Sequence, residues 1–309
     1  MRLPLKSLLI GGTIGAATTA VANVSRRYQH WKQQQKQRLE TGSQLIETAQ
    51  GQVEYCLEGD GPAVLLIHGS PGGYDQGVAL AHFLALHDYT TLAVSRPGYL
   101  RTPLVSGKTP EEQADLFALL LDLLNIPQVV VIAISGGGSS ALQFALRHPE
   151  HCRGLIMIAG LSNKYSEEET YRALPWVRRQ TKQAVDKLVQ FDPALYLLMT
   201  VSQRVPEGEK VQEMLGSFTL NDLRTFGNDN DMEQFANLPV YPVRDIIAPT
   251  LLVHGTEDID VPFAQSEQLA RRMAHAQLVP IEFADHVSVL TNAATASTIQ
   301  RFLRKVYGI

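Results

Sequence analysis

Only two cysteines, Cys56 and Cys152, occur in 309 residues. That excludes a disulfide framework, and with no metal-ligand spacing around them both read as ordinary buried or half-buried thiols. Aromatic residues are sparse, at 7%, and nowhere interleave with a basic run, so the stacking platform of a nucleic-acid binder is missing. Acid is absent from residues 1–38, which hold seven of the 27 Lys and Arg residues; from Glu40 onward all 31 acidic residues face only 20 basic ones. The formal net charge of −4 thus hides an acidic body, which argues against nucleic acid as a partner. No internal repeat is present, which excludes a solenoid. What the chain does have is 45% hydrophobic content, enough to bury a large core in one domain or two.

The stretch Ser7–Ser25 lacks any charge and is mostly Leu, Ile, Val, Ala, Gly and Thr. Its 19 residues can just span a bilayer as an apolar helix. Arg26, Arg27, Lys32, Lys36 and Arg38 follow at once and would hold that flank on the cytoplasmic side. The expectation is therefore a single uncleaved N-terminal membrane anchor with the remaining chain cytoplasmic. Ala20-Val21-Ala22 supports an alternative, export with signal cleavage near Ala22, and a peripheral or processed leader is a third reading. Gly11 and Gly15 have the spacing that packs transmembrane helices, a weak signal. The Gln-rich run Gln29–Gln37 reads as a helical or flexible spacer.

From Gln44 the chain changes character. Gln44–Thr48 and Gly51–Leu57 alternate apolar and polar residues about a turn and suit an antiparallel pair. Ala63–Ile67, Thr90–Val94, Val129–Ile134 and Arg153–Ile158 are continuous apolar runs. They fit parallel strands covered on both faces. A helical stripe, Glu111–Leu124, starts at Thr109-Pro110 and stops at Asn125-Ile126-Pro127. Residues 161–243 break the alternation: no strand pattern appears, and prolines punctuate helix-compatible segments. Taken one at a time, Trp176, Phe191, Tyr196, Met199, Phe218 and Phe226 read as that segment's own core; together they can wall a pocket. Alternation resumes with a strand at Thr250–Val253, a helix at Phe263–Ala274, a strand at Gln277–Phe283 and a terminal helix at Ser288–Val306. The fold class predicted is α/β, a mostly parallel sheet with helices on both faces, formed by residues 39–160 and 244–309 and interrupted by a helical cap at 161–243.

Val129–Leu146 holds the sharpest chemical signal. A buried strand runs into Ser135-Gly136-Gly137-Gly138 and then a helix, with small residues Ala133 and Gly137 two positions either side of Ser135. This small-x-Ser-x-small pattern fits a nucleophile elbow, where a strained strand-to-helix turn thrusts out a hydroxyl. The stretch alone also fits a glycine-rich turn whose serine caps the helix. A serine nucleophile needs an imidazole to take its proton and a carboxylate to orient that imidazole. His286 follows one predicted strand end, and Glu257, Asp258 and Asp260 follow another, with Asp285 beside the histidine. Ser135, Asp258 and His286 fall in the chain order Ser, Asp, His at the carboxyl ends of predicted strands, where open α/β sheets place their sites.

Four motifs in order make residues 44–309 resemble the α/β-hydrolase superfamily, as a capped member with a serine nucleophile. They are His68-Gly69-Ser70-Pro71-Gly72, similar to its oxyanion loop, Arg96-Pro97-Gly98-Tyr99, similar to its Arg-x-Gly turn, the elbow at Ser135, and the Asp258 and His286 pair. The resemblance favours Asp258 over Asp260, Glu257 and Asp285 as the triad acid, and implies that the backbone N–H groups of Ser70 and Gly136 form the oxyanion hole. Three positions depart from the family pattern: Ala133 and Leu100 stand where Gly is usual, and Ser95 where Asp is usual. His68 is expected to shape its loop by bonding to backbone. The implied activity is cleavage of a carboxylic ester or related acyl bond of a small molecule, with no cofactor or metal. The His-Gly-x-Pro-Gly loop is similar to that of proline iminopeptidases, although the Trp usual after their serine is missing. Such a peptidase or a carbon–carbon bond hydrolase is the enzymatic alternative, and a non-catalytic ligand-binding protein on the same fold is the alternative from another class.

Overall fold

Eight extended segments pair into one sheet in the computed structural model, which describes the backbone of residues 5–202 and 208–309 and the side chains of residues 23–202 and 212–309. The strands are β1 Gln44–Glu47, β2 Gln52–Glu58, β3 Ala63–Ile67, β4 Thr90–Val94, β5 Val129–Ile134, β6 Cys152–Ile158, β7 Thr250–Gly255 and β8 Ala276–Ile281, in the order β1-β2-β4-β3-β5-β6-β7-β8. β2 is antiparallel to both β1 and β4, and every other pair is parallel. The helices are α1 Leu5–Thr41, α2 Tyr74–Phe83, α3 Pro110–Leu123, α4 Gly138–Arg147, α5 Glu167–Ala173, α6 Trp176–Val189, α7 Asp192–Ser202, α8 Gly208–Gly216, α9 Thr225–Ala236, α10 Ala264–Arg272, α11 Ser288–Thr291 and α12 Ala293–Tyr307.

Period-two alternation of β5 divides the core. Val129, Val131 and Ala133 point to one face, where Phe117, Leu120, Leu142 and Phe144 of α3 and α4 and Leu269 of α10 cover them. Val130, Ile132 and Ile134 point to the other, against Leu80 of α2 and Ile299 and Leu303 of α12. Helices on both faces explain why β5 is apolar throughout and buried at every position. α3 begins where Thr109 and Glu112 form a reciprocal capping box ahead of Pro110.

Several elements differ from the sequence reading. α2 has no clear amphipathic stripe because seven of its ten residues are buried. The terminal helix is split at Asn292, whose side chain accepts the Ala294 N–H and caps a new helix. β8 stops at Ile281, since Phe283 takes a left-handed backbone and lies 86% exposed. Trp176, Phe191 and Phe226, read as core, are exposed, whereas Tyr196, Met199 and Phe218 are partly buried. The leader continues as a single helix, α1, through the Gln-rich run. Most of the expected membrane-spanning stretch, Ser7–Ser25, falls on residues whose side chains lie outside the described ones. Among the described residues no helix is long and apolar enough to cross a membrane, so the anchor expectation gains no support there.

Between β6 and β7 the described residues form five α-helices, two short 3-10 turns and no strand. Two buried ion pairs seat this segment on the sheet. Asp231 of α9 meets Arg96, which follows β4, with N–O distances of 2.8 and 2.5 Å; both side chains are at most 2% exposed. Arg224, equally buried, reaches Asp75 of α2 at 2.8 Å and donates to the Gly72 carbonyl at 2.6 Å. Close backbone approach completes the seat: Gly227 donates to the Gly98 carbonyl at 2.9 Å, and a Cβ on Gly98, at φ +86°, would lie 2.6 Å from the Gly227 Cα. Removing one member of a buried pair strands the other charge, at a cost of about 3–5 kcal/mol. Asp231→Asn is therefore expected to lower the urea-unfolding free energy by about that amount; a loss below about 1 kcal/mol would show that the pair does not hold the segment in place.

Candidate active site

Ser135 sits immediately after β5 and has a φ of +46°, left-handed for a side chain with a Cβ. The turn has room only for a hydrogen on its inner side: a Cβ on Gly137 would approach the carbonyl oxygens of His68 and Ile67 to 2.6 and 2.8 Å. Ala133, where the superfamily usually has Gly, is fully buried and in register with Ile67 and Met157, so a methyl group is accommodated there. The Ser135 carbonyl accepts the Leu161 N–H at 2.8 Å. Its hydroxyl is left facing His286, with Oγ 2.9 Å from Nε2.

His286 follows β8, and its Nδ1 lies 2.7 Å from Oδ2 of Asp258, which follows β7. A ring nitrogen facing a carboxylate carries the hydrogen, leaving Nε2 to accept the Ser135 proton. Asp258 Oδ1 accepts the backbone N–H groups of Asp260 and Val261, both at 2.9 Å. Below it lies fully buried His254, whose Nε2 is 2.9 Å from the Val261 carbonyl and 3.2 Å from Asp258 Oδ2, and whose Nδ1 is 2.6 Å from Ser266 Oγ. Burial alone would raise the Asp258 pKa, but hydrogen bonds from His254 and His286 prevail and hold the carboxyl well below the usual carboxylate range. His286 moves the other way. Burial would lower its pKa, and the Asp258 carboxylate, in hydrogen bond and in charge, raises it above the ordinary 6.5.

The rival acids are occupied elsewhere. Asp260 pairs with Lys182 of α6, exposed Glu257 lies 3.7 Å from Arg178, and Asp285 accepts the Val287 and Ser288 N–H groups at 3.1 and 2.8 Å. Asp258, Asp260 and His286 do present atoms within 4.8 Å of one another, a spacing that can hold a metal ion. Those atoms already have partners in His254, Lys182 and Ser135.

The loop after β3 brings Ser70 to the elbow. Its backbone N–H has no hydrogen-bond partner among the described residues, and its hydroxyl donates to Asp231 while accepting from Arg96 Nη2 at 3.0 Å. His68 stiffens the same loop as expected. Its Nε2 accepts the Arg96 N–H at 2.9 Å, so Nδ1 carries the hydrogen donated to the Gly69 carbonyl at 2.6 Å. Burial, reinforced by the Arg96 charge, pushes its pKa well down and keeps the imidazole neutral. Gly136 follows the serine at the start of the turn into α4, where N–H groups point out of the helix end. The other departures from the family pattern also have local explanations. Ser95 donates to buried Glu54 at 2.8 Å, so β2 supplies the carboxylate beside this turn. Leu100 holds φ +49°, a conformation that glycine would adopt without strain.

Asp231, Lys182 and His254 were not singled out from the sequence. Asp231 lies in the polar run Asn228-Asp229-Asn230-Asp231, where nothing local marks which residue turns inward. His254 lies four residues before Asp258 and was the one discoverable partner, at the end of the strand that carries the acid.

Known proteins share the fold. The uncharacterized hydrolase YcgS of Bacillus subtilis (strain 168) is 25% identical over 288 residues, covering 87% of this chain and 99% of that protein. The poly(3-hydroxyalkanoate) depolymerase of Ectopseudomonas oleovorans is 28% identical over 207 residues, 62% of this chain and 66% of that protein. Among solved structures, an alpha/beta hydrolase fold protein from Nakamurella multipartita matches at 32% identity and a TM-score of 0.68, covering 85% of this chain and 98% of that one. A membrane phospholipase A described as a bacterial virulence factor shares the fold at 21% identity and a TM-score of 0.66, covering 99% of this chain and 100% of that one. A family model described as alpha/beta hydrolase fold matches residues 62–293, so the chain belongs to that family and is an enzyme of the hydrolase class.

Proposed function

We propose that this hydrolase cleaves a carboxylic ester or related acyl bond of a small molecule through an acyl-enzyme on Ser135, with His286 as acid and base and Asp258 as its orienting carboxylate. The observation that carries the reading is the unbroken relay Ser135 Oγ, His286 Nε2, His286 Nδ1, Asp258 Oδ2, with steps of 2.9 and 2.7 Å. Ser135 attacks the carbonyl carbon as its proton passes to Nε2. The tetrahedral oxyanion is held by the N–H groups of Ser70 and Gly136, each worth about 3 kcal/mol in such sites. His286 then gives the proton to the leaving oxygen, and water repeats the sequence to release the acid. A relative from Neisseria meningitidis, 25% identical over 217 residues and named as a methyl ester esterase of pimeloyl-[acyl-carrier protein], supports the ester class. Throughout the cycle Asp258 remains a carboxylate, its charge sustaining the imidazolium that forms.

Hydrolysis of p-nitrophenyl esters of graded chain length, measured beside aminoacyl-naphthylamides, tests the substrate class. Ester turnover is expected, with Ser135→Ala losing roughly 10⁴-fold or more; turnover only of the amides would move the assignment to a peptidase.

His286 has to be neutral to accept a proton, so activity is lost as pH falls through its pKa. Because that pKa is raised above the ordinary value, the acid limb of kcat/KM is expected above pH 6.5. Asp258→Asn removes the charge that raises it. The limb should then move to lower pH while kcat falls by about 10⁴-fold, and an unmoved limb would contradict the relay.

A further inference from the structure

Helix α6 is amphipathic in the reverse sense. Its inward face, at three- and four-residue spacing, is Arg179, Lys182, Gln183 and Asp186, with Val189 as its one apolar member at the helix end. Lys182 Nζ donates to Asp186 at 3.1 Å and pairs with Asp260, Asp186 accepts the Tyr171 hydroxyl, and Arg179 donates to the Arg172 carbonyl at 3.0 Å. The outward face carries Val177, Val185 and Leu188, at 65, 50 and 43% exposure, with Trp176 at 71% beside them. A helix that packs on a protein core turns its apolar stripe inward. Here the polar stripe packs and the apolar one is presented.

The next helix continues the pattern. After exposed Phe191, α7 presents Leu198 and Val201. Of the 18 exposed large apolar side chains among the described residues, eight fall within residues 176–201. Scattered single exposures are ordinary, but this concentration marks an interaction face.

We infer that the outer face of α6 and α7 docks on a lipid surface bearing anionic headgroups. Two features favour lipid over a protein partner. First, exposed Arg178, 3.7 Å from Glu257, and exposed Lys187 flank the apolar stripe, and the acidic run on neighbouring α5 is partly engaged, Glu167 by Tyr171 and Glu168 by Arg172. Second, α1 packs on α7 through Tyr28 and Trp31, whose rings lie 5.7 and 5.2 Å from that of Tyr196. That junction joins the face to a segment whose Arg26 and Arg27 directly precede Tyr28, in a region of seven bases and no acid. Aromatic rings with bases beside an apolar stripe are the composition of an interfacial helix, whose stripe enters the headgroup boundary by about 5–10 Å.

Through Lys182 and Asp260 the inward face of α6 touches the loop that carries Asp258. Docking would therefore set this loop one helix thickness, about 10 Å, behind the lipid boundary and let substrate arrive from the lipid phase. That consequence rests on the hydrolase reading, whereas the docking face does not.

Trp31 and Trp176 are the only tryptophans, so Trp176 can report on the face directly. The 309-residue chain with Trp31→Phe and Ser135→Ala, the latter preventing any lipid turnover, is mixed with phosphatidylcholine vesicles with and without phosphatidylglycerol. Trp176 emission is expected to shift to shorter wavelength and to be quenched by brominated acyl chains, more strongly with the anionic lipid. Val185→Asp with Leu188→Asp should abolish the quenching and weaken partitioning roughly tenfold, with the far-UV melting curve unchanged. Solvent-like Trp176 emission on vesicles that carry the protein down in sedimentation would overturn the inference. So would a shift that grows with protein concentration in the absence of lipid, which would assign the face to a second copy of the chain.

Discussion

Ser135 occupies a left-handed backbone conformation that costs a residue with a Cβ on the order of 1–2 kcal/mol. The turn persists because both ends are fixed: β5 is buried at all six positions, and the Ser135 carbonyl is tied to Leu161 at 2.8 Å. This geometry separates the hydroxyl from the strand and directs it to an imidazole delivered by a different strand end. Each remaining part of the site is arranged with respect to that projection, and the glycines after Ser135 are determined by it. Gly137 in particular can carry no side chain without meeting the β3 backbone.

Charge is distributed in two buried systems that do different work. Around Asp258, two histidines and two backbone N–H groups share one carboxylate, so its charge is stabilised without a buried cation that would compete with the imidazolium. Around Asp231, a full guanidinium–carboxylate pair is used instead, with Tyr99 and Ser70 satisfying the remaining carboxylate valence. The second system joins the helical segment to the loop that carries the Ser70 N–H. Seating α9 and shaping that loop are consequently one energetic event, and Asp231 positions the loop without touching the reacting atoms.

The parallel strands, the order of the motifs and the residues now gathered at the elbow were legible because they depend on local pattern: continuous apolar runs, small residues flanking Ser135, and polar groups just past strand ends. Other features depend on tertiary context. α2 is buried nearly all round, so periodicity does not mark it. Lys182 and Asp231 take their roles from partners 78 and 135 residues away. Trp176 was read inward because large aromatics are usually buried. That expectation fails where α6 turns its polar side to Asp260, and the failure exposes the face argued above to meet lipid.

Everything proposed for the reaction depends on Ser135 being a nucleophile activated by His286. The most direct test is intact-mass and peptide analysis of folded protein after exposure to a fluorophosphonate. One adduct is expected, located on Ser135, formed rapidly by the wild type and very slowly by His286→Ala protein that retains its fold. Folded wild-type protein with no adduct at Ser135, or labelled equally fast without the His286 imidazole, would contradict it.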